Sequence, residues 1–70
     1  MDKSVYRIIE MVGTSEKSWE EAAKNAIELA GRSVRDLRIA EVVNLDMKVE
    51  DNKVVAYRAR VKASFKYEAE

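Results

Sequence analysis

The stretch LRIAEVVNLDMKVEDNKVVAYRARVKASFKY, residues 37–67, decides the fold. It reads as two long strands around a turn. In the first, the odd positions are Ile39, Glu41, Val43, Leu45, Met47 and Val49, and the even ones are Ala40, Val42, Asn44, Asp46, Lys48 and Glu50. The second alternates more cleanly: Val55, Tyr57, Ala59, Val61, Ala63, Phe65 and Tyr67 against Val54, Ala56, Arg58, Arg60, Lys62, Ser64, Lys66 and Glu68. Side chains alternate between faces, so apolar must oppose apolar, and a slip of one residue inverts the set. A three-residue turn at Asp51-Asn52-Lys53 satisfies this, with Asn52 at the left-handed position. It pairs Val49 with Val55, Met47 with Tyr57, Leu45 with Ala59, Val43 with Val61 and Ile39 with Phe65. On the other face Asp46 opposes Arg58 and Asn44 opposes Arg60.

Upstream, SVYRIIEMVG at 4–13 is rich in β-branched and aromatic residues and reads as a strand ending at Gly13. Val5, Ile9 and Met11 share one of its faces; Tyr6, Ile8 and Val12 share the other. The run SWEE at 18–21 has the form of a capping box, with Glu20 and Glu21 at the positive end of the helix dipole. Trp19, Ala22, Ala23, Ala26, Ile27 and Ala30 then form one apolar helical face, and Gly31 is a stop signal. The order is βαββ, an α+β fold. A crossover makes the first two strands parallel in direction. Placing the third between them gives a three-stranded antiparallel sheet of order 1-3-2, partly wrapped on one helix.

The chain is 70 residues long, a single domain over 1–70. A domain this small buries only about 60% of its unfolded surface and needs support. It has no cysteine or histidine, which removes disulfides and the common zinc sites. Strands of ~12 residues span about 40 Å, whereas a helix of ~14 residues spans about 20 Å. The overhang carries Met47, Val49, Val55 and Tyr57, and such a ribbon is a subunit interface. A homo-oligomer is the expectation. No apolar run approaches the ~20 residues of a membrane span, and the first residues lack a signal-peptide pattern, so a cytoplasmic location is expected.

These residues resemble the dodecin family. The resemblance is carried by VYRIIEMVGTSEKSWEEAAKNAIELA at 5–30, EVV at 41–43 and VKASFK at 61–66. It implies a hollow homododecamer that binds and stores flavin (FMN, riboflavin or FAD) without catalysis. It also implies cofactor positions that are altered here. Ile39 stands where flavin-binding members have a stacking tryptophan, and Arg58 stands where a glutamine meets the ring edge. Asp46 lies where a basic residue often serves the phosphate. Flavin binding is therefore expected to be weakened or lost. Simple alternation puts Ile39 and Arg58 on opposite faces, so either a bulge near Ala40 reverses the parity or different subunits supply them. Trp19, on the helix, reads as a packing residue.

Two alternatives remain. The sequence resembles, at 37–50, a dodecin branch without the stacking tryptophan that is associated with calcium. Glu10, Glu41 and Asp46, with Glu50 and Asp51, are hard oxygen donors that symmetry could gather around the ion. The second is nucleic acid, through the basic stripe Arg58, Arg60, Lys62 and Lys66 with Lys48 nearby. No aromatic residue accompanies the stripe on that face, and 13 basic against 13 acidic residues leave no net charge. An enzyme is disfavoured, since the chain offers no histidine, cysteine or nucleophile-elbow serine.

Overall fold

The structure, a computed structural model, describes residues 5–66. The chain order is β1 (Tyr6–Ser15), α1 (Trp19–Ala30), β2 (Leu37–Glu50) and β3 (Lys53–Lys66). The sheet is antiparallel with order β1-β3-β2. The expected architecture therefore holds. Ser4, Tyr67 and Glu68, assigned above to strands, lie outside the described residues.

Strand β1 does not end at Gly13 but runs through it to Ser15. Gly13 is there for close approach. A Cβ at that position would overlap the carbonyl oxygen of Ala22 and lie 2.9 Å from the Cβ of Ala26. The small face of α1 thus rests almost directly on the backbone of β1. Asn25 reinforces the contact by donating from Nδ2 to the Thr14 carbonyl at 3.1 Å.

The helix start follows its sequence signal in part. The Ser18 hydroxyl accepts from the Glu21 amide at 3.0 Å, as an N-cap should. Glu21 does not close the expected box onto the Ser18 amide. Its carboxylate accepts from the Ser15 hydroxyl instead. The Ser15 oxygen in turn accepts from the amides of Lys17 at 2.9 Å and Ser18 at 3.3 Å. Ser15 is buried and joins the strand end to the helix start.

The hairpin departs from the expected register at three places. Asp51 and Asn52 both have left-handed backbones, with φ of 51° and 62°, so the turn has two residues. Two positive-φ residues give the twist that suits a tight hairpin. The third residue expected in the turn is absorbed by a bulge at Val55: Val49 opposes Val54, not Val55, and Lys48 opposes Ala56. Parity is thereby restored, and Met47–Tyr57, Leu45–Ala59, Asp46–Arg58 and Asn44–Arg60 all pair as expected. A second bulge, at Val43, replaces the expected Val43–Val61 pair with Val42–Val61. A third at Arg38 lets Leu37 oppose Phe65 while Ile39 opposes Ser64.

The core is small. The buried apolar residues among those described are Ala22, Ala26, Ala59, Val61 and Ala63. Met11, Ala23 and Ile27 pack around this cluster. The helix lies over β1 and β3, and reaches Tyr57 through Trp19, whose ring stands edge-on to it at 5.1 Å. Tyr57 is therefore half-covered and not part of the free overhang. Val42, Leu45 and Met47 on β2, and Val49 and Val54 at the hairpin tip, remain exposed. The chain exposes 5710 Å², against roughly 4,500 Å² for a compact monomer of its mass. Its radius of gyration is 14.6 Å where about 11 Å is usual for this length. A single copy is thus more elongated and less buried than a free-standing domain.

Candidate functional site on the outer sheet face

Ala59, Val61 and Ala63 of β3 are buried beneath the helix, so its even-numbered residues face away from it. The registers build that outer face in rows. Thr14, Arg58 and Asp46 form one row; Val12, Arg60 and Asn44 the next. Glu10, Lys62 and Glu41 follow, then Ile8, Ser64 and Ile39, and at the end Tyr6 beside Lys66.

The Val43 bulge decides which residues share this face. Leu45 points with Ala59 toward the helix, yet Ile39 emerges opposite Ser64 on the outer side. Ile39 and Arg58 therefore lie on one face of one chain, and the bulge sits at Val43, not Ala40. Without it Ile39 and Glu41 would turn inward. The same irregularity brings Glu41 onto the outer face, where Glu10 and Asp46 already lie.

The side chains there are largely engaged with one another. Arg58 donates from Nε to Asp46 Oδ1 at 2.7 Å and from Nη2 to Oδ2 at 2.9 Å, a bidentate pair. The hydrogen bond with Arg58 holds the Asp46 carboxyl below its ordinary range, and the charges of Arg58 and Arg60 act in the same direction. The guanidinium of Arg58 is correspondingly raised, first by the hydrogen bond to Asp46 and then by its charge. Arg60 Nη1 lies 3.6 Å from Glu10 Oε2, and Lys48 Nζ lies 3.5 Å from Glu50 Oε2. Glu41 enters no ion pair among the described residues, although Lys62 stands opposite it.

Neither candidate ligand finds a finished site in one chain. Among the described residues no three carboxylates converge to hold a metal ion. For a flavin, Ile39 offers no flat ring, and Arg58 already spends its Nε and Nη2 edge on Asp46. Trp19 cannot substitute. It lies on the helix side, and its Nε1 donates to the Asp46 carbonyl at 3.0 Å. That bond makes Asp46 a two-sided link, main chain to the helix and side chain to Arg58. The basic stripe is flanked by Glu10, Glu41 and Asp46 on the adjoining strands, so its charge is locally balanced. One aromatic residue does share its face, Tyr6, supplied by β1 and not by β3. No described helix is long and apolar enough to cross a membrane.

Sequence reasoning missed Ser15 and the Val43 bulge. The first was signalled by its distance to Glu21. The second had no sequence mark, because Val42 and Val43 are both valine.

Comparison with known proteins agrees with this architecture. The sequence model of the Dodecin family matches residues 5–68. A curated relative, calcium dodecin of Mycobacterium tuberculosis, is 44% identical over 63 residues, covering 90% of this chain and 89% of the relative. The crystal structure of a calcium dodecin from that organism, described as a calcium-chelating antigen with a novel calcium-binding site, gives a TM-score of 0.83. It is 43% identical, with 93% of each chain covered. Dodecin from Streptomyces coelicolor superposes with a TM-score of 0.92 at 31% identity, over the whole of both chains.

Proposed function

The chain belongs to the dodecin family, whose members are non-enzymatic proteins that bind small ligands, and we propose that this one assembles as a homododecamer whose ligand is a divalent cation, calcium, and not a flavin. The observation that carries the reading is the outer face itself. The residues at the family's flavin positions are Ile39, which cannot stack, and an Arg58–Asp46 pair that satisfies itself. Loss of a stacking ring removes on the order of 1–3 kcal/mol, by analogy with base stacking. The calcium dodecin of M. tuberculosis supports the cation.

Assembly follows from the small core and the excess exposed surface. It also supplies what one chain lacks. Glu10 and Asp46 are committed to Arg60 and Arg58, which leaves Glu41 as the readiest oxygen donor. Copies brought together by symmetry would present several Glu41 carboxylates to one hard cation, which favours oxygen ligands. Glu10 and Asp46 join only by giving up their arginines.

Riboflavin and FMN titrations, followed by flavin fluorescence with and without calcium, test the choice of ligand. Weak quenching that calcium does not improve is expected. Tight stoichiometric quenching would replace the cation with a flavin.

A further inference from the structure

On the outer face, β3 is a line of cations and its neighbours carry the oxygens. Arg58, Arg60 and Lys62 are flanked by Asp46 and Glu41 on β2 and by Glu10 on β1. Three positive and three negative side chains leave this patch without net charge. Their pairing is uneven. Arg58 and Arg60 hold Asp46 and Glu10, whereas Glu41 and Lys62 stand opposite each other without an ion pair among the described residues. A divalent cation upsets this balance. Calcium takes roughly six to eight oxygens, more than Glu41 supplies, and the next oxygens on the face belong to Glu10, Asp46 and the Asn44 amide. Each carboxylate drawn to the ion leaves an arginine without its partner, and the ion itself adds two positive charges. We infer that Arg58 and Arg60 then take a tetrahedral dianion, sulfate or phosphate, so that cation and anion each tighten the binding of the other. The inference rests on the cation reading above and adds a second ligand to the same face.

The geometry suits such an anion. Arg58 and Arg60 alternate along β3, so both emerge on one face with their Cα atoms about 7 Å apart, close enough for two long side chains to share one ion. Guanidinium forks match tetrahedral oxyanions and are more weakly hydrated than ammonium groups. The two ion pairs that must open have all four side chains about half exposed, and exposed pairs are weakly held. Without the cation the same donors are occupied, since Arg58 spends its Nε and Nη2 on Asp46 and Arg60 lies against Glu10. The coupling is therefore built into the pairs. The cation releases the arginines, and the anion keeps them from reclaiming the carboxylates. Linkage makes the effect equal in both directions.

The test is calcium binding by equilibrium dialysis of the assembled protein, in sulfate and in chloride at matched ionic strength, with free calcium read by an electrode. Sulfate is the probe because phosphate precipitates calcium. Wild-type affinity for calcium is expected to be roughly tenfold higher in sulfate, within the range of coupled sites. Sulfate in turn should bind saturably to the calcium-loaded protein and not to the calcium-free one. In Arg58→Gln/Arg60→Gln the carboxylates are already released, so calcium should bind more tightly than to wild type in chloride, with no further gain from sulfate. Arg58→Lys/Arg60→Lys, which keeps both charges but not the forks, should retain less than half of the wild-type gain, and it serves where the glutamine pair does not assemble. Calcium binding that is equal in the two salts overturns the coupling. So does an undiminished sulfate gain in either double variant, which would put the anion elsewhere. No calcium binding in either salt overturns the cation reading itself, so the two failures are distinguishable.

Discussion

Asp46 accepts a bidentate hydrogen bond from Arg58 on one side of the sheet, while its main-chain carbonyl accepts from Trp19 on the other. One residue thus ties the outer-face charges to the helix start. Because the Asp46 carboxyl titrates below its ordinary range in the folded chain, it stabilises that fold above its unfolded pKa. The contribution is lost as pH falls through the lowered folded value. Thermal unfolding scanned from neutral to strongly acidic pH should show this loss in the wild type. In Asp46→Asn the acid-dependent component from this site should be absent, and a curve parallel to wild type would contradict the assignment.

Gly13→Ala places a methyl group against the Ala22 carbonyl and the Ala26 side chain. The helix must lift from β1, at a cost of about 1–3 kcal/mol. Chemical denaturation at fixed protein concentration would read the change. A neutral substitution would show that the helix is not seated so closely.

Ser15→Ala removes an acceptor from two amides and a donor to Glu21. A loss of about 1–2 kcal/mol is expected, comparable to a helix cap. Glu21→Gln, which keeps an acceptor for Ser15, should be milder. Equal effects would argue against Ser15 as the joint.

Much of this fold could be read from residue pattern, and the parts that could not have physical reasons. The Asp46–Arg58 and Asn44–Arg60 pairs follow from parity, and parity survives because the shorter turn and the Val55 bulge compensate. Their separate existence leaves no trace in that count. At Val42-Val43 two apolar residues in succession conceal the bulge, so the parity reversal expected near Ala40, or else from another subunit, lies instead at Val43 within one chain. The burial of Ser15 could not be read from its own strand, because its partners come from the next element. Trp19 read correctly as packing, but its reach to Tyr57 depends on helix placement, which spacing does not give.

The shared face makes the expected flavin positions testable by substitution. Ile39→Trp with Arg58→Gln restores a ring and an amide on the same side of one chain. Flavin affinity is expected to rise by at least tenfold, within the range of one stacking contact. No gain in a still-assembled variant would show that Ile39 and Arg58 are not flavin positions in this chain.

The cation is tested most directly by calorimetric titration of calcium into the assembled, chelator-treated protein, beside the Glu41→Gln variant. Saturable binding at a fixed fraction of an ion per chain, lost in Glu41→Gln while the assembly keeps its size, is the predicted result. No calcium binding by the assembled wild type, with tight binding of FMN in its place, would contradict it.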